Sequence, residues 1–284
     1  MYLCPSFKHA KHDLMTWWES ILLGLIQGIT EFLPVSSSGH LVLAQHFLGL
    51  DAADSDVLFE VMVHFGTIMS ILWVYRSRIL NLVQGFVQSA IHPTDWEKAY
   101  KSEEHFRMGI HILITMIPTF TVYAIWGGAI EAAFSSPRLA AGMLLVTGVL
   151  LILTRLVKAP TGAVTAPKSF VIGCAQAFAM IPGISRSGST ICAALYQGVD
   201  PEKAADFSFL MLIPVVIGAT VFKIADAFSA AAVADWAILL LGTLIAFVSG
   251  IAAIRLVLDF VRRGRLQYFA FYCFLVGGLG LALL

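Results

Sequence analysis

With 284 residues, 58% of them hydrophobic and 13% charged, and a mean hydropathy of +0.84, the chain has too little charge to cover a water-soluble domain. Zero net charge and a pI near 7.1 exclude the basic surface that nucleic-acid phosphates require, so no nucleic-acid partner is expected. Cys4, Cys174, Cys192 and Cys273 show no C-x-x-C spacing, which points to small core residues rather than a zinc site or a disulfide framework. The expected fold is an all-α polytopic membrane protein, a single integral membrane domain over residues 1–284.

The leading residues MYLCPSFKHAKHDLMT are polar, and no cleavable signal peptide is expected there. Residues 17–50 are apolar but interrupted by LPVSSSGH. Each arm is short for a bilayer, so the stretch reads as a re-entrant helix–loop–helix hairpin with its tip at membrane depth. Apolar runs of spanning length, roughly 17 to 25 residues, follow at 57–75, 107–126 and 138–157. Between the first two lies a polar connection with His92, Asp95, Glu97, Glu103, Glu104 and His105, which reads as a solvated loop. A second interrupted stretch, 170–199, breaks at PGISRSGST and gives a second hairpin, and further runs occupy 204–222, 236–254 and 266–284. The chain therefore reads as six transmembrane helices plus two re-entrant helical hairpins, with kinks expected at Pro118 and Pro214.

Basic residues cluster in three connections, around Arg76–Arg107, Arg155–Lys168 and Arg255–Arg265, which the positive-inside rule places in the cytoplasm. The six spans then alternate only if the first hairpin enters and leaves from the outer face and the second from the inner face. A shift of 149 positions lays Gly24, Gln27, Ser36, Ser38 and Gly39 on Gly173, Gln176, Ser185, Ser187 and Gly188 without a gap. Three spans separate the hairpins, so the second copy is expected to be inverted, giving repeat halves of about 17–126 and 170–254.

The two interruptions hold the residues suited to chemistry. Gln27 and Glu31 share one helical face just before the first break, and Ser36, Ser37, Ser38 and His40 follow it. The second break offers Ser185, Arg186, Ser187, Gly188, Ser189 and Thr190. An acid, hydroxyls, a histidine, an arginine and amides at a helix start suit a phosphate ester. Charge at bilayer depth is costly, which favours an anion-binding role for Arg186 over a snorkelling one. Glu31 could instead neutralise Arg186, a reading compatible with function, and His40 or the serines could cap helices and satisfy backbone. Ser37 is the serine expected to react, and His64, four residues after Glu60, could face the site.

GLIQGITEFLPVSSSGHLVLAQHFLG, PGISRSGSTICAAL and AADFSFLMLIPVVIGA closely resemble the undecaprenyl-diphosphate phosphatases, or bacitracin resistance proteins, over nearly the whole chain from about residue 17. The resemblance implies a multi-pass protein of the bacterial inner membrane that hydrolyses undecaprenyl diphosphate to the monophosphate carrier lipid and inorganic phosphate. That activity recycles the carrier for peptidoglycan and confers bacitracin resistance. By motif position it implies catalytic roles for Glu31, Ser37, His40 and Arg186. Substrate binding is expected from Gln27, Ser36, Ser38, Ser185, Ser187, Gly188, Ser189 and Thr190. The site is expected to face the extracytoplasmic side.

Many family members carry glutamate where this chain has Gln27. That leaves Glu31 as the carboxylate for a divalent cation, magnesium or calcium, which would be shared with the diphosphate rather than caged by protein. The expected chemistry is attack by Ser37 with His40 as general base, Glu31 orienting His40 or the cation, and Arg186 with the amides of 187–190 holding phosphate. A histidine nucleophile and a lipid-phosphate flippase or transporter are the alternatives. The expected partners are the polyprenyl diphosphate lipid and the membrane, with a homodimer left open.

Overall fold

The computed structural model describes residues 15–49, 57–158, 160–230 and 235–284, all α-helical apart from connections and one isolated bridge. The leading segment expected to lack a signal peptide, and the acidic connection at 51–56, lie outside the described residues. The helices in chain order are α1 (Trp17–Phe32), α2 (Ser37–Leu48), α3 (Val57–Val74), α4 (Arg76–Ala90), α5 (Trp96–Ser102), α6 (Glu104–Ala133), α7 (Pro137–Leu153), α8 (Ala166–Phe178), α9 (Arg186–Tyr196), α10 (Pro201–Ala230), α11 (Trp236–Arg262) and α12 (Gln267–Leu283). Each expected apolar run falls on one helix: α3, α6, α7, α10, α11 and α12. Glu104–Ala133, Pro137–Leu156 and Trp236–Arg262 are each long and apolar enough to cross a membrane. A fourth candidate is the pair Leu58–Val74 and Arg76–Ala90, bent by 83°. The protein is thus an all-α, multi-pass membrane protein.

Both interrupted stretches are helix–break–helix. Thr16 opens α1 with a capping box to Glu19, and α1 stops where Pro34 holds Leu33 in an extended conformation (φ −62°, ψ 143°). Ser36 caps α2 by accepting from the Gly39 amide at 3.2 Å, and Ser185 caps α9 by accepting from the Gly188 amide at 3.0 Å. The two S-x-x-G caps are 149 positions apart, matching the shift found in sequence.

Small residues let these arms sit close to long helices. A Cβ on Gly24 would lie 2.5 Å from the Gly242 carbonyl oxygen, and one on Gly28 would lie 2.5 Å from that of Ala246. The G-x-x-x-G of α1 therefore brings its backbone against the small-residue stripe of α11. The side chain of Ser20 reinforces the contact by donating to the Ile238 carbonyl at 2.7 Å, as Ser70 of α3 does to Phe247 at 2.7 Å. In the second half α8 packs on α6 in the same way, with a Cβ on Gly173 reaching to 2.6 Å from the Thr115 oxygen. α7 packs along α12. The largest apolar core joins the hairpin tips to α10, with Phe32 and Phe209 edge-to-face at 5.9 Å between centroids.

Two expectations change. The polar connection after α3 is largely helical rather than a solvated loop. α4 turns away from α3 at Tyr75, lays Phe86 on Phe106 of α6 at 5.5 Å, and leaves Leu80, Val83, Val87 and Ile91 exposed. These four recur at spacings of three and four, as one stripe on a helix does. The elbow is fixed by Asp206 of α10, which accepts from the Tyr75 hydroxyl at 2.8 Å and pairs with Arg78. Cys174 is exposed, so among the described cysteines Cys192 and Cys273 are the buried small residues expected, and Cys4 lies outside the described residues. Pro118 and Pro214 both lie inside helices, in α6 and α10.

The close approach of α1 to α11 makes a test. In an exposed helix Gly→Ala stabilises by about 1 kcal/mol. At Gly24 or Gly28 the added methyl meets backbone, and the substitution should instead destabilise by about 1–3 kcal/mol, read as a lower unfolding temperature in detergent. Gly142→Ala in α7, where a Cβ meets nothing within 4 Å, should leave it unchanged or raise it.

Candidate active site

The two breaks touch. A Cβ added at Gly39 would lie 2.8 Å from the Gly183 Cα, and one at Gly188 would lie 3.3 Å from the Pro34 Cβ. Adding 149 to Pro34 and Gly39 gives Gly183 and Gly188, so the two contacts exchange under the sequence shift. The Ser187 hydroxyl adds a cross-link, donating to the Leu33 carbonyl at 3.1 Å. Gly183, with φ 94°, turns the second break, and Thr147 of α7 steadies it by donating to the Gly183 carbonyl at 2.8 Å and accepting from the Ser185 amide at 3.0 Å.

At this junction Glu31 gathers three of the predicted residues. Its Oε2 accepts from Ser37 Oγ at 2.6 Å and from Gln27 Nε2 at 3.1 Å, and its Oε1 accepts from Arg186 Nη2 at 3.2 Å. The ion pair is largely buried, with the two side chains 14% (Arg186) and 8% (Glu31) exposed. Arg186 also donates through Nη1 to the Ser208 carbonyl at 2.9 Å, which fixes the plane of the guanidinium. These bonds use two of the five N–H donors of the guanidinium. His64 lies within electrostatic reach of Glu31, and its Nδ1 donates to the Glu60 carbonyl at 2.8 Å.

The remaining predicted residues divide. Ser36 and Ser185 serve as caps, and their hydroxyls lie 3.2 Å from those of Ser38 and Ser187. The amides of Gly188 and Ser189 are taken by the hydroxyl and carbonyl of Ser185, so these two do not serve the phosphate clamp expected of residues 187–190. Thr190 bonds the Arg186 carbonyl at 2.8 Å and the Ser208 hydroxyl at 2.7 Å. Gln27 Oε1 and Ser189 Oγ are buried with no hydrogen-bond partner among the described residues.

His40 stands apart from the Ser37–Glu31 pair. Its Nδ1 bonds the Ser36 carbonyl at 2.7 Å and its Nε2 bonds the Tyr272 hydroxyl at 2.9 Å, so both nitrogens are engaged away from Ser37. The hydrogen-bond partner of Ser37 is therefore Glu31 and not His40, the base expected from sequence. Ser36 is the one non-glycine residue with positive φ (72°) among the described residues, a conformation that costs on the order of 1–3 kcal/mol. The strain sits directly before Ser37. It is held by the cap to Gly39 and by His40 on the Ser36 carbonyl.

Ser208 and Tyr272 were not foreseen. Ser208 serves Arg186 through a main-chain carbonyl, which leaves no side-chain signal, and Tyr272 reaches His40 from 232 positions away. Among the described residues no three His, Cys, Asp or Glu side chains gather as a metal cage. The donors that fit a divalent cation are the orphan Gln27 oxygen and the Glu31 carboxylate, a set that substrate oxygens would have to complete.

Chemically, the arrangement presents a hydroxyl hydrogen-bonded to a carboxylate beside a guanidinium, the parts needed to attack and stabilise a phosphoryl group. Comparison with known proteins agrees. A Salinibacter ruber protein named undecaprenyl-diphosphatase is 54% identical over 270 residues, covering 95% of this chain and 100% of its own length. Proteins of the same name from Desulfatibacillum aliphaticivorans and Methanobrevibacter smithii are 43% and 36% identical, covering 93% and 91% of this chain and 97% and 94% of their own lengths. The family described as bacitracin resistance protein BacA matches residues 20–279, and the chain belongs to that family.

Proposed function

We propose that the protein hydrolyses undecaprenyl diphosphate to undecaprenyl phosphate and inorganic phosphate at the junction of the two breaks. This recycles the carrier lipid for peptidoglycan synthesis and confers bacitracin resistance. The observation that carries the mechanism is the 2.6 Å bond from Ser37 Oγ to Glu31 Oε2, beside Arg186 on the other oxygen of the same carboxylate. Ser37 Oγ attacks the terminal phosphorus while Glu31 takes its proton. The bond from that phosphorus to the bridging oxygen breaks, and undecaprenyl phosphate leaves carrying the proton that Glu31 took from Ser37, which frees the carboxylate again. Water, deprotonated by Glu31, then attacks the phosphoserine, freeing inorganic phosphate and restoring the Ser37 hydroxyl. Arg186 neutralises charge on the transferring group, which is where phosphoryl transfer gains most of its rate. A divalent cation, magnesium or calcium, would be held by Gln27 Oε1, Glu31 and the diphosphate, and would supply further charge neutralisation.

The architecture we favour is six transmembrane helices plus two re-entrant hairpins, arranged as an inverted-topology repeat. Its support is the exchange of the Pro34–Gly188 and Gly39–Gly183 contacts under the 149-residue shift, and the matching placement of α1 on α11 and α8 on α6. In that arrangement the diphosphate enters the polar junction from the outer face of the bacterial inner membrane and the prenyl chain stays in lipid. The carrier alternative is not favoured, since the named relatives are diphosphatases.

Purified protein in detergent should release phosphate from undecaprenyl diphosphate, and Ser37→Ala should lower the rate by about 10²–10⁴-fold. Substrate carrying radiolabel in its terminal phosphate should transiently label Ser37. Full activity in Ser37→Ala, or label on His40, would overturn the serine mechanism.

Removing one partner of a buried ion pair costs about 3–5 kcal/mol, whereas replacing both costs far less. Arg186→Met should therefore melt well below wild type, and Glu31→Gln/Arg186→Met should recover much of that loss while remaining inactive. Equal melting of the two variants would show that Glu31 is not stranded by loss of Arg186.

A further inference from the structure

We propose that Tyr272 of α12 is a positioning residue for the reaction: it locks His40 in one tautomer, and His40 in turn holds the backbone that aims Ser37 at Glu31. The inference rests on the Ser37–Glu31–Arg186 reading of the site. A carbonyl oxygen can only accept, so His40 Nδ1, 2.7 Å from the Ser36 oxygen, carries a proton. In the neutral ring Nε2 is then the acceptor, and the Tyr272 hydroxyl at 2.9 Å is the donor. The two rings lie parallel, 5° between planes and 5.5 Å between centroids, so Tyr272 fixes the plane of the imidazole as well as its proton.

What His40 grips makes this consequential. Ser36 has φ 72° and directly precedes Ser37 at the start of α2. The bond from His40 Nδ1 to its carbonyl is one of the contacts that hold that unfavourable turn. A ring free to flip or change tautomer would present a bare nitrogen to the carbonyl and repel it. Ser36 could then relax, and Ser37 would swing away from the 2.6 Å bond to Glu31. Tyr272 lies on a helix that packs along α7, outside the hairpin, so it ties the reactive tip to a fixed wall. It touches no part of the Glu31–Ser37–Arg186 cluster by hydrogen bond and acts through His40 alone.

The test is a double-mutant cycle on the full-length protein in detergent, with phosphate release from undecaprenyl diphosphate as the readout. Tyr272→Phe keeps the ring and removes the donor. It should lower kcat by about tenfold, a hydrogen bond's worth, with KM unchanged. Tyr272→Phe added to His40→Ala should cost nothing more than His40→Ala alone, because the two act in series. Wild-type kcat in Tyr272→Phe, or losses that multiply in the double variant, would overturn the proposal.

A measurement on the unmutated protein covers the case in which a variant fails to fold. Nitrogen-15 shifts of the His40 ring should report a protonated Nδ1 and an unprotonated Nε2, and the opposite tautomer would overturn the proposal. An active Ser37→Ala would instead sink the reading of the site while leaving that tautomer in place. A normal Tyr272→Phe beside an inactive Ser37→Ala would sink this inference alone.

Discussion

The pair of Glu31 and Arg186, brought together from 155 positions apart, is the constraint on which the rest of the fold depends. Neither charge could be left alone in so apolar an interior, because a stranded buried ion costs several kcal/mol. The pair is tolerated because the remaining polar capacity is met as well: Ser37 and Gln27 donate to the carboxylate, and the Ser208 carbonyl accepts from the guanidinium. Meeting those demands requires both chain breaks, α1 and α10 at one point. The glycines at 39, 183 and 188 let the breaks come close enough. On the proposed mechanism, the features that make this ion pair bearable are also those that make it reactive. The carboxylate that neutralises Arg186 is the one that polarises Ser37.

The helices around the junction act as a frame for it. α11 carries α1 through a small-residue stripe, α6 carries α8, and α12 supplies Tyr272. Because α1 is held backbone to backbone, a shift of even a methyl group there moves Glu31 with it. A side-chain interface would cushion such a shift by changing rotamers, and a glycine interface has none to change. At the opposite end of α3, Asp206 ties the Tyr75 elbow to α10, the same helix whose Ser208 steadies Arg186.

Much of this was legible in the residues. Six apolar runs of spanning length became six helices, and the Pro/Ser/Gly interruptions became helix breaks, because both signals are local: Pro34 and Pro182 stand among serines and glycines that favour caps and turns, whereas Pro118 and Pro214, in apolar surroundings, stay inside helices. The pairing of Glu31 with Arg186 was legible only as an alternative to anion binding, since an arginine in such a composition needs a counter-charge of one kind or the other. α4 was missed because its apolar residues, Leu80, Val83, Val87 and Ile91, form a stripe diluted by Asn81, Gln84 and Gln88, and no window over it is uniformly apolar. His40 is the base expected from sequence because it lies beside Glu31 and three serines. Only geometry could reveal that both its nitrogens were already committed.

On the proposed repeat, duplication explains why there is one site and not two. Ser37 of the first copy falls on Arg186 of the second, and Glu31 falls on Met180. The first tip therefore keeps an acid and a hydroxyl without a cation, and the second keeps a cation without an acid. Each tip alone would leave a buried group unsatisfied, so neither is stable as a polar island and each requires the other. The caps stayed alike, Ser36 with Gly39 and Ser185 with Gly188, because both tips still face the same backbone problem of starting a helix in an apolar interior. Divergence fell on the residues beside those caps, Ser37 and Arg186, whose side chains the capping geometry itself does not dictate.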